Sequence, residues 1–91
     1  MYIFKLYIFG QTLNQRKGFK DLHEFLQRAL GQNFSLEVID LFKTPHRAEE
    51  DQVFATPTFV KCQPEPRKKL VGDLSDRKAV LQALGIGMEG G

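Results

Sequence analysis

A single cysteine, Cys62, in 91 residues excludes an internal disulfide and with it the small secreted scaffolds that rely on several. No apolar run reaches the roughly 18 to 20 residues a membrane span requires. Tyr2 to Phe9 is apolar but contains Lys5, and no cleavable signal with a small-residue exit follows it. Cytoplasmic residence and no membrane partner are therefore expected. Charge of one sign is also scarce: a net +2 with a pI near 8.8 is too mild for a dedicated nucleic-acid binder, whose positive charge is large and gathered on one face. No glycine-rich loop has the spacing of a phosphate cradle, because Gly85, Gly87, Gly90 and Gly91 trail at the end with no helix after them. His23 and His46 lack cysteine or histidine partners at zinc spacings, so neither metal nor cofactor is expected.

What is present is an ordinary globular balance, 42% hydrophobic and 26% charged, in a chain long enough for one core and one domain, residues 1–91. Tyr2 to Phe9 is rich in β-branched and aromatic residues and reads as a strand inside a sheet, covered on both faces. From Asn14 to Leu30 the stripe Phe19, Leu22, Phe25, Leu26, Ala29 and Leu30 predicts a helix, with Gly31 as its stop. Phe34 to Phe42 reads as a second strand, parallel to the first. Thr44 and Pro45 then open a short helix to about Phe54, which Pro57 terminates. Pro57, just before the third strand, is either a cis proline or a plain turn proline.

Thr58 to Cys62 and Lys68 to Val71 are strand candidates joined by Gln63-Pro64-Glu65-Pro66-Arg67, and a hairpin is the simplest reading. Ser75 can cap a last helix through Val80, Leu81 and Leu84, although Ala79 to Ile86 also fits a strand with Val80, Gln82, Leu84 and Ile86 on one face. The tail from about 88 to 91 is expected to be disordered. The fold class is thus α/β, in the order β-α-β-α-β-β-α of thioredoxin-like domains. Yet Gly10-Gln11-Thr12-Leu13-Asn14, where redox members carry a thiol on a helix N-terminus, contains no cysteine. The scaffold lacks its nucleophile, which points to a protein that works by being bound and not to an enzyme.

Other chemistry is weak. Cys62 sits late in a strand and reads as a small apolar filler. Glu49-Glu50-Asp51 is read as negative charge favoured early in a helix, since adjacent helical residues point apart and make a poor carboxylate pair. Arg67-Lys68-Lys69 either grips an acidic surface or forms a solvated edge that discourages aggregation, and strand alternation would send its side chains to opposite faces.

Over almost its whole length the chain resembles the KaiB family. The resemblance rests on Lys5-Leu6-Tyr7, Gly10, Thr12 and Asn14; Val38-Ile39-Asp40; Pro45 with Ala48-Glu49-Glu50-Asp51; Ala55-Thr56-Pro57-Thr58; and Val71-Gly72-Asp73-Leu74-Ser75-Asp76-Arg77. It implies a non-enzymatic clock or timing protein that binds the KaiC ATPase ring and modulates its phosphorylation cycle, in some systems by capturing KaiA or displacing a thioredoxin-like sensor kinase domain. It also implies two folds, the thioredoxin-like one and a homotetramer of order β-α-β-β-α-α-β in which the C-terminal half rearranges, so homo-oligomers, dimer or tetramer, are expected. By position, the family's partner-facing basic residues correspond to Lys17, Lys61, Arg67, Lys68 and Lys69. Pro57, Pro64, Pro66, Ala83 and Gly85 lie in the half that would switch.

The chain departs from the family pattern where Gln52-Val53-Phe54 replaces a common lysine, where Ala83 stands for glycine and Gly85 for aspartate, and where the tail is glycine-rich and not acidic. Alanine for glycine favours helix by about 1 kcal/mol, and Gly85 opposes it. These departures keep a second function open, a constitutively thioredoxin-like adaptor in stress signalling that binds a kinase or a KaiC-like ATPase.

Overall fold

The computed structural model describes residues 1–85. β1 (Tyr2–Ile8) leads through Gly10, whose φ of +75° suits a residue without Cβ, into α1 (Leu13–Leu30). Thr12 caps α1 by a reciprocal exchange: its hydroxyl accepts from the Gln15 N–H at 3.1 Å while the Gln15 side chain accepts from the Thr12 N–H at 2.8 Å. Gly31 ends the helix with a φ of +65°. β2 (Phe34–Asp40) follows, then a 3₁₀ helix (Pro45–Asp51), β3 (Thr58–Gln63), β4 (Lys68–Val71) and α2 (Arg77–Ala83).

The sheet order is β2-β1-β3-β4, so β1 is interior as its composition predicts. β1 and β2 are parallel, with Tyr2 opposite Phe34 and Ile8 opposite Asp40, while β3 runs antiparallel to β1 and β4 antiparallel to β3. Alternation divides the core. Phe4, Leu6 and Ile8 of β1 join Phe59 of β3 beneath Leu22 and Leu26 of α1, Val80 and Leu81 of α2, and Leu84 at the C-cap of α2. Tyr7, Ile39, Leu41, Val53 and Val60 fill the opposite face under the 3₁₀ helix.

Several boundaries move. The helix expected to run to about Phe54 is a 3₁₀ turn that stops at Asp51, because Gln52 adopts a left-handed φ of +53° and its N–H closes back onto the chain. Thr44 occupies its N-cap position without a side-chain cap; its hydroxyl donates instead to the Asp40 carbonyl at 3.2 Å. Asp76, not Ser75, caps α2, accepting from the Ala79 N–H at 3.1 Å, while Asp73 accepts from the Ser75 N–H at 2.8 Å and spends Ser75 in the preceding turn. The Ala79 stretch is helical to Ala83; Ile86 and the tail from about 88 lie outside the described residues. The peptide bonds before Pro57, Pro64 and Pro66 are cis.

Candidate functional site

Where a redox relative would carry its thiol, α1 begins with Leu13, Asn14 and Gln15. Cys62 is near the far end of β3, level with Ile3 and Phe4 of β1, about 20 Å along the sheet from Gly10 at roughly 3.3 Å per residue. It is half-buried against the core beneath the 3₁₀ helix, and burial pushes its thiol pKa up, away from the reactive thiolate. Beside the vacant thiol position lies a groove of about 400 Å³ between α1 and the segment after β4, lined by Leu6, Phe19, Leu22, Pro57, Leu74 and Arg77 among others. No cluster of three metal-ligating side chains exists among the described residues, and none of their helices is long and apolar enough to cross a membrane.

The built feature of the opposite face is a chain of charges. Lys5, alone among apolar neighbours in β1, reaches Glu50 at 3.0 Å and Asp51 at 3.5 Å. Arg47 holds Glu37 with Nη1 at 2.6 Å and Nη2 at 3.2 Å, and Glu50 with Nε at 2.8 Å and Nη2 at 3.1 Å. Asp51, its side chain buried, accepts from the Tyr7 hydroxyl and pairs with Arg67. Lys69 donates to the carbonyls of Asp51 at 3.2 Å and Gln52 at 3.1 Å. The carboxylates therefore sit at the end of their short helix, where the backbone dipole disfavours them. The sequence reading of an early-helix preference is corrected: Lys5 of β1, Arg67 of the loop before β4 and Arg47 of the same short helix hold Glu50 and Asp51 in place.

The electrostatics follow the contacts. The hydrogen bonds from Arg47 and then Lys5 hold the Glu50 carboxyl at about 2, and the Arg47 hydrogen bond lowers Glu37. The same two partners, Glu50 first, push Arg47 up. Burial, reinforced by the charge of Glu50, raises the Tyr7 hydroxyl.

The basic residues singled out from sequence are not gathered into one patch. Lys17 is exposed on α1. Arg67 and Lys69 face the 3₁₀ helix, whereas Lys68, paired across the sheet with Lys61, lies on the helix-covered face. Lys61 is only 2% exposed and its ammonium lies under the C-terminal end of α2, 3.8 Å from where a Cβ on Gly85 would stand. The negative end of the helix favours a cation there, so in this packing Lys61 offers a partner almost no surface. Ala83 is the last residue of α2, Pro64 and Pro66 form the exposed hairpin turn, and Pro57 enters β3 beside the groove.

Sequence reasoning missed Asp51, Tyr7 and Arg47 as a unit. The available signal was Lys5, a charge in a buried strand, which needs a partner.

Comparison with known proteins matches residues 5–86 to the family model described as the KaiB domain. The circadian clock oscillator protein KaiB of Prochlorococcus marinus strain MIT 9211 is 46% identical over 85 residues, covering 93% of this chain and 75% of that protein. Its counterpart in Trichodesmium erythraeum strain IMS101 is 45% identical, covering 93% and 82%. Among solved structures, the N-terminal domain of Synechococcus elongatus SasA superposes with a TM-score of 0.68 at 26% identity, over 98% of this chain and 87% of that one. Mitochondrial thioredoxin 3 from Saccharomyces cerevisiae, in its oxidised form, also gives 0.68, at 18% identity over 92% and 76%, and shares the fold.

Proposed function

This chain belongs to the KaiB family of clock proteins, and on that premise we propose that it is a non-catalytic cytoplasmic docking module that binds a KaiC-type ATPase ring and modulates its phosphorylation cycle. The observation that carries this reading is the combination of a thioredoxin-like sheet with Leu13, Asn14 and Gln15 in place of a thiol. A fold of that kind retains a shaped surface and loses the redox step. The likeness to the SasA N-terminal domain supports competition with a thioredoxin-like domain of similar shape for one ring.

The family's second packing would dismantle the pairing of β3 with β4 and release Lys69 from the 3₁₀ helix. One observation favours the alternative of a constitutively thioredoxin-like adaptor: Ala83, at a position where the family commonly carries glycine, completes α2. Size-exclusion chromatography with NMR of the isolated chain separates the two, since a monomer whose amide pattern matches this fold at all concentrations speaks for the adaptor.

The test of the main reading is titration of the purified chain into the KaiC-type ATPase of the same genome by calorimetry, with the ring's phosphorylation followed in parallel. Saturable binding and an altered phosphorylation time course are expected. No heat and no change refute it.

A further inference from the structure

Two phenylalanines stand unprotected where the parallel strands end. Phe9, just after β1, is 62% exposed and Phe42, just after β2, is 67% exposed. Their rings meet edge to face at a centroid distance of 5.7 Å. Their placement is enforced from inside. Asp40, buried at the end of β2, uses one carboxylate oxygen to accept from the Gly10 N–H at 2.8 Å and from the Phe42 N–H at 3.0 Å. The Leu41 N–H adds a bond to the Ile8 carbonyl at 2.8 Å. A buried carboxylate thus brackets the two turns and holds both rings outward. Leu13, 82% exposed, opens α1 at the same end of the sheet.

The two stretches of chain that carry these side chains hold one sign of charge. Residues 9–20 contain Arg16, Lys17 and Lys20, and residues 41–46 contain Lys43; neither stretch contains an Asp or Glu, the nearest along the chain being exposed Asp21 after the first and buried Asp40 before the second. None of these four cations forms an ion pair among the described residues. Large exposed apolar side chains inside a polar rim mark interaction sites, and aromatic anchors carry most of the energy at such sites.

We propose that Phe9, Phe42 and Leu13, with Arg16, Lys17, Lys20 and Lys43 around them, form the docking surface for an acidic protein face whose apolar pocket receives the two rings. This rests on the ring-binding reading above and specifies the chemistry of the contact. Charge complementarity selects an acidic partner over a second copy of this chain, because apposing two such surfaces would set like charges against each other.

The test compares wild type with Phe9→Ser/Phe42→Ser and with Lys20→Glu/Lys43→Glu, each titrated into the KaiC-type ATPase of the same genome at low and high salt. All four positions lie on the surface, and amide NMR spectra verify that each variant keeps the fold. The aromatic variant is expected to raise Kd at least tenfold, about the effect of removing one strong anchor. The charge variant is expected to weaken binding and flatten its salt dependence. Wild-type binding with both variants within about twofold overturns this surface and leaves the ring-binding reading standing. A wild type that binds no ring overturns both. Should the aromatic variant alone lose affinity, the acidic character of the partner is refuted; self-association of the wild type that the aromatic variant abolishes replaces the acidic partner with a second copy.

Discussion

Removing the Tyr7 hydroxyl with Tyr7→Phe probes the join between sheet and 3₁₀ helix most cleanly. Tyr7 is fully buried, and its hydroxyl donates to Asp51, whose other partners are Lys5 and Arg67. The substitution keeps the ring in the core and deletes one hydrogen bond to a charged group, which is worth about 1.5–3 kcal/mol. A chain of 91 residues has about 5–14 kcal/mol in total, so the loss is visible. With a urea slope of about 1–3 kcal/mol per molar, the unfolding midpoint should fall by about 1 M. Asp51→Ala should cost more, toward the lower end of about 3–5 kcal/mol, because Lys5 and Arg67 both reach solvent and can rehydrate. The pH dependence adds an independent check. Burial raises the folded pKa of Tyr7 above its ordinary 10.0, so its contribution is complete below pH 10 and is lost as pH rises through the folded value. Urea midpoints of wild type and Tyr7→Phe should therefore converge above pH 10. A midpoint shift below about 0.2 M at neutral pH, or a gap that widens in alkali, refutes the role given to this contact.

Two further outcomes follow from the same face and its reverse. Glu50, held near 2 against an ordinary 4.5, stabilises the fold fully above pH 4.5 and loses that contribution as pH falls toward 2; Arg47→Ala deletes the larger of its two partners and leaves Lys5, so the acid-sensitive segment should shrink and the variant's denaturation midpoint should approach that of wild type between pH 4.5 and 2. At Lys61, 2% exposed beneath the end of α2, Lys61→Glu should cost more than about 2 kcal/mol by placing a buried anion at the negative helix end. That is a fall in Tm of about 8 °C or more for a domain of this size, whereas Lys61→Met should melt within a few degrees of wild type; equal melting of the two variants would contradict the burial argument.

Local signals carried most of the fold. The stripe from Phe19 to Leu30 with Gly31 behind it located α1, and the prolines at 64 and 66 marked the turn between β3 and the start of β4 at Lys68. These features depend on residues within one or two turns of each other. Where two residues competed for one role, local pattern did not decide: Ser75 and Asp76 are both good caps, and the choice fell to Asp76 because Asp73 engages the Ser75 N–H. The charge chain was less legible still. Tyr7 and Asp51 are 44 residues apart, and their meeting depends on the sheet order and on the 3₁₀ helix lying back across β1. Lys61 illustrates the same limit. Alternation places it on the face of Phe59, but only the seating of α2 over that end of the sheet determines that the ammonium is covered.

Asp40 separates display from support. Because both turns are fastened through backbone N–H groups, to which every residue type but proline contributes equally, the side chains at positions 9 and 42 can be exchanged without loosening the bracket beneath them. A lineage can thus retune which surface it reads by altering two outward-facing residues while the internal carboxylate, invisible to any partner, conserves the geometry of presentation.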